Sequence, residues 1–275
     1  MIKKYFVMLL ITIFAGCASV PAWNKDVRQQ HYLFIGNSIT YIYDTPTIFR
    51  SLLSANEISA EVDVISSPGK TMADHIEDGW AEKAISSKAY DAVFLQDVGG
   101  NLFCVLDEES ASEPECADMI RSHERIAGSA HRTGSKVFIL GTYQKLPGAQ
   151  RALSSAEARL SGLIGADGHV DQNELQNSTM KLQPSLPWFD NDGAHPGPYA
   201  ALLTALGAYR ELFHSWPSAA PRYIESCKHQ VRPGAALSPM FGPQPIKTPT
   251  GPCVTIDGLV WRDLIKSLEG GGEYH

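Results

Sequence analysis

Ser38, Asp192 and His195 have the side-chain types that nucleophilic catalysis by a serine requires. Ser38 closes the tripeptide at 36–38, directly after the apolar run at 32–35, and Asp192 precedes His195 by three residues. A carboxylate and an imidazole at this spacing can touch within one loop, which fixes the tautomer of the ring. A histidine held in this way can take the proton of a serine hydroxyl. The three residues indicate a Ser-His-Asp triad, provided that the fold brings position 38 next to position 195.

Each of these motifs is weak when it is taken singly. Most serines that follow a strand cap a helix or line a turn. Thr40 stands where the nucleophile elbow G-x-S-x-G requires its second glycine, so an α/β-hydrolase elbow is not present. The segment 123–127 begins like the zinc motif H-E-x-x-H but has Ala127 at the second ligand position. His123 and His131 are therefore predicted to be solvent-exposed helix residues. His75 is predicted to lie on a polar helix face, and the alternative is that it approaches the cleft.

Strands and helices alternate along the chain from residue 31. Strands are predicted at 31–36, 60–67, 89–97, 135–143 and 168–172, and helices at 45–55, 71–85, 120–132, 152–163 and 196–213. The acidic residues at 102–117 are interpreted as a surface excursion. This order predicts an α/β fold, a three-layer α/β/α sandwich of flavodoxin-like type with a parallel sheet of about five strands. Ligands of such sheets bind at the carboxyl ends of the strands, where Ser38 and Gly69 would lie.

Four blocks in this order resemble the SGNH (GDSL-type) hydrolase superfamily over residues 31–213. The blocks are the tripeptide at 36–38, Gly69 after the second strand, the segment 93–101 after the third, and Asp192-x-x-His195 before the last helix. The resemblance implies that Ser38 is the nucleophile, His195 the base and Asp192 its orienter. It also implies that the amides of Ser38 and Gly69 form an oxyanion hole.

Two positions depart from the pattern of that superfamily. Asn37 replaces the usual aspartate of the first block, and its side-chain oxygen can still cap the following turn. The third block usually supplies an asparagine side chain to the oxyanion hole. Here Gln96 at the end of the strand is the favoured donor, because its amide donates as an asparagine amide does, and Asn101 is the alternative.

Residues 1–22 have the features of a signal peptide. Two lysines precede a short apolar stretch, and the segment 14–17 resembles a lipobox in which Cys17 would be lipidated. The alternative is simple cleavage near Ala18 or Ala22. Either reading predicts an exported protein. A lipid anchor would place it at the membrane, in the outer membrane or periplasm of a Gram-negative source, and otherwise the protein would be secreted.

Export makes disulfides the expected state of the four remaining cysteines. Local pairing of Cys104 with Cys116 and of Cys227 with Cys253 closes the shortest loops and is the predicted connectivity. A zinc site is disfavoured, because no C-x-x-C spacing occurs. No metal and no organic cofactor are expected.

The chain divides into a predicted hydrolase domain at 28–214, an appended segment at 215–269 packed on it, and a disordered tail at 270–275. The net charge of −7 and the scattered basic residues argue against a nucleic-acid partner. The expected activity is hydrolysis of a carboxylic ester, acetyl or short acyl, on a small molecule or a glycan. The alternative is an inactive cell-envelope binding protein that keeps the fold.

Overall fold

A computed structural model describes residues 28–229 and 251–270. The predicted signal peptide, Cys17 and the predicted tail beyond Gly270 lie outside these residues. Within the described residues no helix is long and apolar enough to cross a membrane.

The centre of the fold is a parallel sheet of five strands. Its order is β2-β1-β3-β4-β5, and its strands are β1 (Gln30–Gly36), β2 (Ala60–Ser66), β3 (Ala92–Leu95), β4 (Lys136–Leu140) and β5 (Gly168–Val170). The predicted sheet is thereby confirmed. Because β1 pairs with β2 on one side and with β3 on the other, the chain reverses its direction of winding at β1. Such a reversal opens a crevice at the carboxyl ends of the strands, and Ser38 follows β1 at that place.

Helices cover both faces of the sheet, as expected for a three-layer sandwich. The helices are α1 (Ser38–Tyr41), α2 (Thr45–Ala55), α3 (Met72–Glu77), α4 (Trp80–Ser87), α5 (Glu108–Ser112), α6 (Pro114–Arg132), α7 (Pro147–Leu163), α8 (Gln172–Leu182), α9 (Pro198–Phe213) and α10 (Gly258–Gly270). Alternate strand residues enter two separate hydrophobic clusters, one with α2 and α9 and the other with α3, α4, α6 and α7. This two-sided burial explains why the strand sequences are almost continuously apolar.

Phe94 lies at the centre of the first cluster. Its ring stacks on Phe34 and Phe138, with centroids 4.7 and 5.4 Å away, and meets the edge of Phe49 at 5.4 Å. Truncation of a phenylalanine buried in this way costs about 3–5 kcal/mol. The cluster therefore anchors β1, β3 and β4 to one another, and with them the ends that carry the site.

In three places the fold differs from the sequence-based expectation, for identifiable reasons. The helix predicted at 71–85 is broken at Asp78 and Gly79, because Gly79 has a φ of +71° and the Asp78 side chain accepts a hydrogen bond from the Trp80 amide. The surface excursion predicted at 102–117 is largely exposed over 107–115, but it is helical, formed by a 3₁₀ helix (Gly99–Leu106), α5 and the start of α6, and Leu102 and Val105 are buried. Helix α8 was missed altogether. Its buried face is largely polar, including Gln172, Asn173, Gln176 and Thr179, and shows no hydrophobic period.

The segment after α9 forms an antiparallel hairpin, β6 (Tyr223–Cys227) with β7 (Cys253–Asp257), followed by α10. Its apolar side chains belong to the first hydrophobic cluster, among them Ile224, Ile256 and Trp261. The Asn56 side chain at the end of α2 exchanges hydrogen bonds of 2.9 and 3.0 Å with the backbone of Ala219. The segment is thus packed on the sheet and its helices.

Both predicted disulfides, Cys104–Cys116 and Cys227–Cys253, are present. The first joins the 3₁₀ helix to α6, and the second closes the β6–β7 hairpin. The predicted connectivity is confirmed.

Candidate active site

Ser38 is the first residue of α1, which begins immediately beyond the carboxyl end of β1. Asn37 caps this short helix, because its Oδ1 accepts a hydrogen bond of 3.1 Å from the Ile39 amide, as predicted. The Nδ2 of the same side chain donates to the Lys70 carbonyl at 3.2 Å. An aspartate has no donor to make this second bond. Residues 36–41, which contain the predicted nucleophile, are called the nucleophile turn, and Asn37 joins this turn to the loop that contains Gly69.

Asp192 and His195 lie in a tight loop that precedes α9. An isolated bridge pairs Phe189 with Pro196 at the base of this loop, and the Asp190 amide donates to the His195 carbonyl at 3.0 Å. The Gly193 amide donates to the Asp190 carbonyl at 2.9 Å. A φ of +68° at Gly193 completes the turn without steric penalty. The loop is held by its own backbone, so its side chains have a defined direction.

The three side chains of the predicted triad form one hydrogen-bonded chain. Nε2 of His195 lies 2.9 Å from Ser38 Oγ, and its Nδ1 lies 2.6 Å from Oδ2 of Asp192. An ionised carboxylate only accepts hydrogen bonds, so Nδ1 carries the proton and Nε2 accepts the serine hydroxyl. This is the tautomer with which a histidine can act as a general base towards serine.

The environment of Asp192 keeps its carboxyl ionised. Partial burial on its own would raise the pKa, but hydrogen bonds from the backbone and ring of His195 and from the Ala194 amide outweigh it and lower the pKa of Asp192 to about 2. Oδ1 accepts both amides at 2.9 Å, which leaves Oδ2 for the ring. The carboxylate is therefore available to stabilise an imidazolium at any pH above about 3.

Gly69 lies in a tight turn after β2. The Lys70 amide donates to the Ser67 carbonyl at 3.3 Å, and Gly69 between them has a φ of +68°, which L side chains rarely adopt. The Ser66 hydroxyl donates to the Asn37 carbonyl at 2.7 Å and so ties this turn to the nucleophile turn. As the first residue of its helix, Ser38 has an amide without an intrahelical partner. The two predicted oxyanion donors thus belong to neighbouring, linked turns.

Gln96 occupies a different place from the one expected of an oxyanion donor. Only 1% of the residue is exposed, and its Oε1 accepts hydrogen bonds from the Asn37 amide at 3.2 Å and the Thr40 hydroxyl at 2.8 Å. Its Nε2 donates to the Asp97 carbonyl. Gln96 therefore stabilises the nucleophile turn through its hydrogen bonds to Asn37 and Thr40. Asn101, the alternative, is exposed on the adjacent 3₁₀ helix, and the choice of third donor stays a prediction.

Two buried histidines lie behind the nucleophile turn, in contrast to the exposed positions that were predicted. His75 is fully buried, and its Nε2 is 2.8 Å from the Gly36 carbonyl, to which it donates. His123 is 1% exposed, with Nε2 3.5 Å from the buried carboxylate of Asp97. The Asp97 carboxylate also accepts the Met72 amide at 3.1 Å. These contacts are between distant segments, so no spacing in the sequence indicates them; His131, by contrast, is on the surface.

Tyr143 and Lys145, which follow β4, lie beside Phe189 at the base of the triad loop (residues 189–196). The Tyr143 ring lies 5.5 Å from the ring of Phe189, and Lys145 Nζ lies 4.4 Å from the centre of the same ring. Both rings are partly exposed. The aromatic side chains of Tyr41, Tyr43 and Trp188 are buried, by contrast.

Among the described residues no group of three or more His, Cys, Asp or Glu side chains is arranged to hold a metal ion.

No family model matches the sequence, and no curated protein matches it. Solved structures do resemble the fold. Axe2, an acetylxylan esterase from Geobacillus stearothermophilus, is 16% identical with a TM-score of 0.51, and the match covers 68% of this chain and 95% of that one. TesA is 17% identical with a TM-score of 0.50, over 66% of this chain and 98% of that one.

A DUF4886 family protein from Bacteroides uniformis is 15% identical with a TM-score of 0.52, over 68% of this chain and 84% of that one. Structural matches at such low sequence identity establish a shared fold and nothing more. Together with the sheet order, they show that about two thirds of the chain shares the three-layer α/β/α fold of these structures, as the sequence motifs indicated.

Proposed function

We propose that this protein is a serine esterase that hydrolyses carboxylic esters through an acyl-enzyme. The observation that carries the proposal is the continuous hydrogen-bonded chain from Ser38 through His195 to Asp192. The likeness in fold to an acetylxylan esterase supports it, and variants described as catalytic mutants are known for that esterase.

In the first half-reaction Ser38 Oγ attacks the ester carbonyl while Nε2 of His195 takes the hydroxyl proton. The new C–O bond forms as the carbonyl π bond opens, and the negative charge moves to the carbonyl oxygen. Amide donors at Ser38 and Gly69 stabilise that oxyanion, an effect for which one donor is worth about a hundred- to thousandfold in rate. The intermediate then expels the alcohol, which leaves with the proton from His195, and the acyl group stays on Ser38.

In the second half-reaction water replaces the alcohol. His195 takes a proton from water, the hydroxide adds to the acyl carbonyl, and the intermediate collapses with return of the proton to Ser38. Asp192 remains ionised throughout and stabilises the imidazolium at both stages. The products are the free acid and the regenerated enzyme.

We propose a short acyl ester on a glycan as the substrate. The rings of Tyr143 and Phe189 beside the triad loop are partly exposed and tilted by 49° to each other, and the apolar face of either ring can stack on the face of a sugar ring. The ammonium of Lys145 above Phe189 adds a hydrogen-bond donor for sugar hydroxyls.

The substrate class is tested by acid release from acetylated xylooligosaccharides and from p-nitrophenyl esters of two to twelve carbons, with Ser38→Ala as the blank. The proposal predicts the highest kcat/KM for acetyl groups on sugars, and a loss of that advantage in Phe189→Ala. A rate that rises with chain length would instead indicate a lipid esterase. Absence of Ser38-dependent hydrolysis of every ester would favour the inactive binding protein.

We also propose that the protein is exported, because it contains two disulfides and disulfides persist in oxidising compartments. If Cys17 is the lipid anchor, the protein labels with a fatty acid in cells and Cys17→Ser abolishes the label. A labelled Cys17→Ser variant would contradict the lipobox assignment.

A further inference from the structure

The β6–β7 hairpin contacts the segment that directly follows the nucleophile helix. The Ser226 hydroxyl donates to the Tyr43 carbonyl at 3.1 Å, and the His229 amide donates to the Ile42 carbonyl at 2.8 Å. Ile42 is the C-cap residue of the short helix that begins at Ser38. The appended segment is therefore bonded to the nucleophile side of the site.

The same hairpin reaches the triad loop through one side chain. Lys228 Nζ lies 2.5 Å from Oδ2 of Asp190, and Oδ1 of Asp190 accepts the Tyr43 hydroxyl at 3.0 Å. The backbone of Asp190 in turn bonds to the His195 carbonyl and the Gly193 amide. Asp190 thus lies at the start of the loop, and its two carboxylate oxygens bind Tyr43 and Lys228.

Burial makes the position of Asp190 depend on its cationic partner. The side chain of Asp190 is 3% exposed and that of Lys228 is 17% exposed. Burial on its own would raise the pKa of Asp190, but hydrogen bonds from Lys228, the Asn191 amide and Tyr43 lower it. Removal of one partner from such a pair leaves an uncompensated buried charge, which is relieved by uptake of a proton or by movement of the loop towards solvent.

The backbone of Lys228 is itself anchored. Its amide donates to the Pro252 carbonyl at 3.0 Å, and its carbonyl accepts the Gly251 amide at 2.9 Å. The neighbouring disulfide Cys227–Cys253 closes this end of the hairpin. The backbone of Lys228 is therefore fixed in the appended segment, outside residues 31–213, which contain the four hydrolase motifs.

We propose that Lys228 is a positioning residue for catalysis. Through its ion pair with Asp190 it holds the triad loop against the nucleophile turn. The inference rests on the proposed esterase function. It makes the appended segment part of the catalytic apparatus, although that segment contributes no group to the reaction itself.

Loss of the contact is expected to lower kcat more than it changes KM. A misplacement of about 1 Å at the reacting groups can cost about a hundredfold in rate. Lys228→Met, which keeps the length of the side chain and removes its charge, is therefore predicted to lower kcat on p-nitrophenyl acetate by about ten- to a hundredfold. Lys228→Arg is predicted to recover most of the loss, because it can still pair with the carboxylate.

Lys136→Met is the matched control, since Lys136 is exposed at the amino end of β4, the rim opposite the site. Hydrogen exchange measured by mass spectrometry gives a readout that does not depend on activity. In Lys228→Met the amides of Asp190, Gly193 and Gly197 should exchange faster, whereas those of β1 and β3 should not. A merely stabilising role would speed exchange throughout and leave kcat of the folded protein unchanged.

The outcomes separate this inference from the proposed function. A wild-type protein that hydrolyses no ester would refute the esterase, and the exchange of the triad loop in Lys228→Met would still decide whether Lys228 positions it. An active wild type together with a Lys228→Met variant that keeps kcat within twofold and normal loop exchange would overturn the positioning role.

Discussion

Ser38 Oγ lies 2.9 Å from Nε2 of His195, although 157 positions separate the two residues in the chain. The parallel sheet explains this proximity. The loop after β1 and the loop before α9 both open at the rim where the strands end. The hydrogen bonds of Asp192 then orient the ring, so the pair is poised for proton transfer before any substrate arrives.

Asp192→Asn should leave the fold intact and lower kcat by about a thousandfold or more, because an amide favours the wrong tautomer of His195. The pKa of about 2 for Asp192 adds a pH expectation. This carboxylate stays ionised from pH 8 down to about pH 3, so its protonation does not cause a loss of activity at pH 4–6. Asp118→Asn, at an exposed position on α6, is the control. A variant of Asp192 that keeps a tenth of the wild-type kcat would contradict the orienting role.

The roles of Gln96 and Asn101 can be separated by side-chain replacements. Gln96→Met keeps the volume but removes the acceptor for the Asn37 amide and the Thr40 hydroxyl. It should lower both the melting temperature and kcat, because an unsatisfied buried donor costs about 1–3 kcal/mol. Asn101→Ala should lower kcat about a hundred- to thousandfold without loss of stability if Asn101 is the third oxyanion donor. Full activity in Asn101→Ala would exclude that residue.

Gly36→Ala should displace the side chains of Thr40 and Gln96, which stabilise the nucleophile turn. An added Cβ would lie 2.3 Å from the Thr40 hydroxyl and 3.0 Å from Gln96 Oε1, both of which are fixed by their mutual hydrogen bond. We expect kcat to fall at least tenfold. Gly162→Ala on α7, where an added Cβ meets nothing within 4 Å, should retain activity and gain about 0.5–1 kcal/mol. Equal kinetics of the two variants would show that the turn tolerates displacement.

Glu157 predicts a dependence of stability on pH. The side chain is fully buried beneath the end of β4, with Oε1 accepting the Thr142 amide at 2.8 Å, and burial raises the pKa of this carboxyl well above its usual value. The native state then keeps the proton that the unfolded chain releases near pH 4.5. The contribution of Glu157 to stability is complete below that pH and is lost as the pH rises towards the native pKa.

Glu157→Gln keeps the oxygen acceptor and removes this dependence. Relative to the variant, the wild type should lose up to about 1.4 kcal/mol of unfolding free energy per pH unit above pH 4.5. Urea unfolding from pH 4 to pH 8 measures the difference, with exposed Glu108→Gln as the control. Parallel pH profiles for wild type and Glu157→Gln would mean that the native carboxyl is ionised.

The sheet and the proximity of the three triad residues could be predicted because they depend on regular features: buried strands, connecting helices and motifs at their ends. The role of Gln96 could not, because its direction depends on how Thr40 and the Asn37 amide meet it in space. Helix α8 was missed because the polar side chains of its buried face are satisfied mostly by backbone carbonyls, among them those of Thr142, Leu175 and Ala200. The link from Lys228 to Asp190 depends on how the hairpin packs, and no local pattern encodes that.

The account depends most directly on the reactivity of Ser38. Incubation with a p-nitrophenyl alkylphosphonate, followed by intact-mass and peptide mass spectrometry, measures it without knowledge of the substrate. We predict one phosphonyl adduct per chain on Ser38, loss of hydrolysis of p-nitrophenyl acetate in proportion to labelling, and no adduct in Ser38→Ala. A wild-type protein that forms no adduct, or forms it at another residue while Ser38 stays unmodified, would contradict the assignment of Ser38 as the nucleophile.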